Sequence, residues 1–296
     1  RDVLSGLFYL LAILTYLKGV MPNVPGTESA REHADTGGRI RLTNTRWIVV
    51  SVICFALAVL SKALAVTLPV VLLLLDYYPL RRRAWLEKLP YFAISAVGTV
   101  MAFVALASMG VLAPVAWISL EDRALITAYS LWFYPATTLW PAGLSPMYEL
   151  TFRPHVFEWR YLSALLGVAA CAWLAVSGRH RWPAWSVAWL AYAVTVLPVT
   201  GLFQNGYQLV ALRYSYLATL PLVVLAGGTL AAVRTGASRG RRWAALGVGG
   251  TGLAILAALT MAYLPVYRQD IPFWTRAIQL DPACVVCADY LVHQSD

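Results

Sequence analysis

Residues 46–80, RWIVVSVICFALAVLSKALAVTLPVVLLLLDYYPL, decide how this chain is built. The apolar run is interrupted in its middle only by Ser61 and Lys62. As one helix, it would carry the basic loops on either side of it to opposite faces of a membrane. As two helices joined by a tight turn at Ser61–Lys62, it returns both loops to the same face. Lys and Arg collect in the cytoplasmic loops of polytopic proteins, so the two-helix reading is the expected one.

Composition supports the membrane premise. Of the 296 residues, 60% are hydrophobic and 12% are charged. A soluble domain carries about 45–50% apolar and about 25% charged residues. A net charge of +9 is compatible with a nucleic-acid partner. Its basic residues, however, lie in short clusters between apolar runs, which is the pattern of orientation signals, and no nucleic-acid partner is expected.

Runs long enough, or nearly so, to cross a hydrocarbon core of about 30 Å fall at 3–20, 46–61, 63–80, 91–109, 161–177, 184–200, 214–233 and 243–264. This predicts an all-α polytopic protein of about eight transmembrane helices. The loops 18–46, 81–90, 178–183 and 234–242 then lie inside and hold most of the Lys and Arg. Both ends of the chain lie outside. The stretch 129–147 is aromatic and apolar, but Pro135, Pro141 and Pro146 are expected to break a regular span. It is placed instead in an external segment, 110–160, at the outer interface. The polar loop 21–45 reads as a linker. Residues 1–264 thus form the membrane domain and 265–296 an external tail.

Eight basic residues disobey the charge rule by lying outside: Arg1, Lys62, Arg123, Arg153, Arg160, Arg213, Arg268 and Arg276. Those near membrane ends are costly and need a partner or a task. One reading is snorkelling to lipid phosphates, or pairing with Asp2, Glu149 or Glu158. Another is that Arg1, Lys62 and Arg213 meet an anionic headgroup such as a polyprenyl phosphate. A guanidinium forks onto phosphate oxygens and stabilises a departing phosphate. Asp2, Glu121, Asp122, Glu149 and Glu158 all remain open as an outer-face general base. Asp76, at the inner end of its run, is expected to pair with Arg81–Arg83.

Other patterns carry less. GVGGTG at 247–252 matches a dinucleotide-binding spacing but lies inside an apolar run, where close helix packing is the better reading. Cys284 and Cys287 have no second pair, so they support no closed zinc site, and the four cysteines suggest no disulfide framework. The opening RDVLSGLFYL lacks the sections of a signal peptide and is expected to be interior to a longer protein.

Several segments together resemble a family. RDVLSGLFYLLAILTYL at the start, LSKALAVTLPVVLLLLDYYPL at 60–80, EKLPYF at 87–92, YSLWFYPATTLWPAGLSPMYEL at 129–150 and GLFQNGYQLVALRYSYLATLP at 201–221 are similar to the transmembrane-and-tetratricopeptide-repeat O-mannosyltransferases and their bacterial relatives. FWTRAIQLDPACVVCADYL at 273–291 resembles the entry to a tetratricopeptide repeat.

The resemblance implies a GT-C-like enzyme that moves a sugar, mannose by analogy, from a polyprenyl-phosphate donor to a protein hydroxyl on the outer face, with inversion. It implies no bound cofactor beyond the lipid-linked donor, and it leaves a divalent metal open. It also implies a bacterial inner membrane, with Arg213, Lys62 and Arg1 on the donor phosphate. Asp2 is a lesser candidate for the catalytic carboxylate, because relatives carry their main acidic motif in a loop upstream of the matched region. Relatives place an acidic residue before the Arg-Tyr pair, and here that position is Leu212. The alternative implied is a non-catalytic scaffold that anchors external repeats to the membrane.

Overall fold

The computed structural model describes residues 1–21, 44–108, 110, 118–150, 154–203, 208–236, 239–282 and 284–293. The expected linker at 21–45 lies, apart from its ends, outside these residues. The chain is mostly helical and folds as two compact units. One holds Arg1–Val111 and Leu174–Pro198, the other Leu112–Trp173 and Val199–Asp296.

The first unit opens with α1 (Asp2–Val20) and α2 (Thr45–Ser61), which pack along one another. Both are almost wholly apolar, so neither has a polar face to turn outward. Hydroxyls join them: Ser5 Oγ donates to the Ala58 carbonyl at 3.0 Å, and Ser51 Oγ to the Ala12 carbonyl at 2.6 Å. Helix α2 ends at Ser61, and Lys62 takes an extended backbone, with φ −160° and ψ 129°. A 3-10 turn, Ala63–Thr67, then feeds α3 (Leu68–Tyr77). The expected break in the 46–80 stretch is therefore present, at the expected residue. Pro69 in the first turn of α3 gives up an N–H that has no helical partner there.

After the turn Leu86–Lys88, α4 (Leu89–Ser108) packs on α2 and on the 63–67 turn. Gly98 permits this approach, since a Cβ there would lie 2.5 Å from Val59 Cγ1. Tyr16, Phe55 and Tyr91 are buried and meet as rings in the core. Helix α7 (Pro183–Val196) closes the unit against α3.

The second unit begins with α5 (Leu120–Leu139), and here the sequence reading needs correcting. Pro135 lies inside this helix and does not end it. Its missing N–H removes one ladder bond, while Thr137 and Thr138 hydroxyls return hydrogen bonds to the carbonyls of Phe133 and Tyr134. The helix stops at Leu139, just before Trp140 and Pro141. Ser119 caps its start by accepting the Asp122 N–H at 3.1 Å. Helix α6 (Trp159–Ser177) follows, and Gly167 admits the Trp132 ring, which a Cβ would meet at 2.3 Å. Later come α8 (Ser215–Ala218), α9 (Leu220–Gly236), α10 (Arg239–Tyr263), α11 (Asp270–Leu280) and α12 (Val285–His293). Two short strands, β1 (Tyr148–Glu149) and β2 (Gln208–Val210), pair antiparallel.

Among the described residues, four helices are long and apolar enough to cross a membrane: Asp2–Val20, Leu86–Ser108, Trp159–Ser177 and Arg242–Tyr267. The pair Leu212–Ala218 and Leu220–Val233, bent by 49°, passes the same test only when its two helices are taken together, as a broken span or a re-entrant loop. The apolar helices Thr45–Ser61, Ala63–Tyr77 and Pro183–Val199 are shorter. Each expected segment is thus helical, but three of them lack the length of a full span.

Candidate functional site

Arg213 sits in a single 3-10 turn, Leu212–Tyr214, between β2 and α8. Its guanidinium is exposed and donates to Gln208 Oε1 at 2.8 Å. It also lies 5.2 Å from the Tyr214 ring centre. Both partners are neutral, so neither cancels its charge. Gln208 in turn donates its amide to Met147 Sδ at 3.2 Å, which ties Arg213 to the strand pair.

That strand pair is held in place from several sides. Tyr148 faces Val210, and Glu149 faces Gln208. Upstream, Gly143 takes a positive φ of 64°, where a side chain is disfavoured, and donates its N–H to the Tyr263 hydroxyl at 2.8 Å. Ser145 donates its N–H to the Tyr148 hydroxyl at 2.9 Å and its Oγ to the Met147 carbonyl at 2.6 Å. Burial pushes the Tyr148 phenol up to about 12, partly opposed by that Ser145 bond. Tyr148 therefore stays protonated at neutral pH.

A cavity of about 300 Å³ opens beside the strand pair. Its wall includes Tyr129, Ser145, Tyr148, Glu149, Arg160 and Asp281. Aromatic faces, two carboxylates and a guanidinium in one recess suit a polar ligand with hydroxyl groups, since each charged group can take paired hydrogen bonds. Glu149 is oriented by the N-terminal turn of α12: its Oε2 accepts the Val285 N–H at 2.8 Å. Arg160 is paired with Glu158 at 2.9 Å, and both are substantially exposed.

The other proposed phosphate ligands lie in the first unit. Lys62 and Asp2 form an ion pair at 2.5 Å, at the start of α1 and the end of α2. Arg1 precedes α1, and its carbonyl accepts the Ser5 N–H at 3.0 Å. Lys62 and Arg160 thus carry the carboxylate pairings that charge placement had suggested, whereas Arg213 meets an amide. Glu121 and Asp122 lie in the first turn of α5, where acids favour the positive end of the helix dipole. Arg123 is buried and braces the 201–203 turn, donating from Nη1 to the Leu202 carbonyl at 3.2 Å.

A second charged cluster was legible only in part. Asp76 is buried, and its main partner is Lys88, not the Arg81–Arg83 run. Arg82 approaches Asp76 at 3.9 Å and pairs more closely with Glu87, at 2.6 Å. Tyr16 donates to Asp76 Oδ1 at 2.6 Å and accepts from Lys88. Proximity in sequence favoured the arginines, but Lys88 is carried inward on the turn that leads into α4, while the exposed Arg81 turns away at a φ of 52°.

Two other expectations change. Cys284 and Cys287 form a disulfide, with Cα atoms 5.3 Å apart. The turn before α12 leaves Cys284 outside the helix, which brings the two sulfurs together. In α10, a Cβ at Gly249 would touch Leu230 at 3.7 Å, but Gly247, Gly250 and Gly252 have nothing within 4 Å. The GVGGTG stripe therefore packs at one point, not along its length. Among the described residues, no three His, Cys, Asp or Glu side chains converge as a metal ion would require. No family model, curated protein or solved structure matches the chain.

Proposed function

We propose that this chain is the membrane part of a glycosyltransferase that uses a polyprenyl-phosphate sugar, with about eight crossings in a GT-C-like arrangement. The observation that supports this reading is Arg213. It is an exposed guanidinium with neutral partners, beside a strand pair whose Glu149 lines a polar recess. A guanidinium left unneutralised at a membrane interface favours an anionic headgroup. Lys62 and Arg1 belong to the first unit, where Lys62 is already paired with Asp2, so the donor-phosphate role is proposed for Arg213.

In the proposed reaction a carboxylate takes the proton of an acceptor hydroxyl, whose oxygen bonds to the anomeric carbon. The bond from that carbon to the phosphate oxygen breaks, and its electron pair leaves with the phosphate. Arg213 stabilises the charge that builds there. Within this stretch Glu149 and Asp281 line the recess, whereas Asp2 is engaged by Lys62. Donor, protein acceptor and the two ends of the chain would share the outer face of a bacterial inner membrane.

One observation favours the scaffold alternative. Helices α11 and α12 form a hairpin in which Trp274 and Tyr290 stack at 4.6 Å, and it exposes Val285, Tyr290 and Val292. A hairpin with an apolar outer face suits the addition of further helical repeats.

Arg213→Ala in the native membrane protein decides between them. Sugar transfer from polyprenyl phosphate should fall by about 100-fold or more, with insertion intact and partial rescue by Arg213→Lys. Transfer at the wild-type rate in Arg213→Ala would refute the donor-phosphate role. An absence of transfer in the wild type itself would favour the scaffold.

A further inference from the structure

The Cys284–Cys287 disulfide packs against Met147, which lines the recess. Both cysteines are buried against Met147, Ala277 and Trp274. Asp281 precedes the disulfide loop, and its carbonyl accepts the Cys284 N–H at 3.1 Å. Asp281 itself lines the cavity. One residue beyond Cys284, the Val285 N–H is the group that holds Glu149. The disulfide loop contains Val285, whose N–H holds Glu149, and its first cysteine is hydrogen-bonded to the backbone of Asp281, so it is linked to both acidic residues of the recess.

We infer that Cys284–Cys287 is a thiol–disulfide exchange site whose oxidation state sets the shape of this recess. The partner is a dithiol, either a protein or a small molecule. One of its thiolates attacks Cys287 Sγ. The Sγ–Sγ bond breaks, and its electron pair leaves on Cys284. The dithiol's second thiolate then releases Cys287 and closes its own disulfide, so the dithiol is oxidised by two electrons and the protein gains two thiols. Cys284 is the better leaving group. Its sulfur accepts the Cys287 N–H at 3.2 Å at the start of α12, where a thiolate is stabilised by helix N–H groups. Because both sulfurs are buried, exchange proceeds through opening of the α11–α12 hairpin. If the recess is the working site proposed above, its carboxylates are ordered only in the oxidised protein.

The test uses the whole chain in lipid nanodiscs, with dithiothreitol as the dithiol. Thiols are counted by alkylation and mass, and amide hydrogen exchange is followed over 284–293. Reduction should expose Cys284 and Cys287 to alkylation and speed exchange of the Val285 amide about tenfold. A Cys284→Ser, Cys287→Ser variant should exchange fast with or without dithiothreitol. The inference fails if no new thiols appear, if they appear while exchange stays unchanged, or if the serine variant still responds to reductant. None of these readouts needs a sugar donor, so failure of the transferase reading leaves them intact.

Discussion

Lys88 is the residue whose role was hardest to read. A fully buried ammonium is tolerated only when paired and hydrogen-bonded, and here Asp76 and Tyr16 meet that demand. The cluster joins the end of α1, the end of α3 and the turn that leads into α4, so it fixes three elements at one point. Removing one partner strands the other. Lys88→Met should destabilise the protein by about 3–5 kcal/mol, because Asp76 is left buried with only Tyr16 and a more distant Arg82. Pairing that change with Asp76→Leu should recover a large part of the loss. Denaturant titration in detergent measures both, and a double variant no more stable than Lys88→Met would refute the account. Residue types placed Asp76 in an ion pair but named the adjacent Arg81–Arg83 run in place of Lys88, because the choice depends on how the chain turns between Tyr78 and Trp85. Arg213 was more legible: its position at the start of an apolar segment marked it as costly. Its amide partner, Gln208, carries no charge signal that a count of charges could detect.

At the scale of elements, apolar run length and charge bias located most helices. The break at Ser61–Lys62 followed from requiring two basic loops on one face, and the backbone does become extended at Lys62. Helix α5 runs through Pro135 because a proline removes a single ladder bond, while the turns on either side and the buried Phe133 and Tyr134 hold the helix in place. The strand pair β1–β2 was invisible, since five residues drawn from distant segments give no periodic pattern. Close packing is legible only in retrospect: Gly98 counts, whereas most of GVGGTG does not. Gly98→Ala should push α4 from α2 and cost about 1–3 kcal/mol, because the new methyl would need the space of Val59 Cγ1. Val59→Ala in the same chain should recover most of that loss. If Gly98→Ala is neutral alone, the two helices do not meet there.

At the scale of the whole molecule, the distribution of Lys and Arg is a claim about sidedness. Three apolar helices fall short of a full span, so length alone leaves their crossings open. Charge adds what length lacks: Arg81–Arg83 and Arg179–Arg181 flank such helices, and the eight-crossing proposal takes their loops as cytoplasmic. The eight-crossing proposal therefore puts Arg83 and His180 on one face and His155 on the other. All three are exposed, so a cysteine at each is accessible to reagents. Cys54 and Cys171 can be replaced by serine to remove background, and the Cys284–Cys287 disulfide does not react while oxidised. In sealed vesicles, a membrane-impermeant maleimide should label Arg83→Cys and His180→Cys from the cytoplasmic side and His155→Cys only from the opposite one. Labelling of His155→Cys and His180→Cys from the same side would mean that Trp159–Ser177 does not cross. Opposite labelling of Arg83→Cys and His180→Cys would require an odd number of crossings between them and overturn the proposed topology.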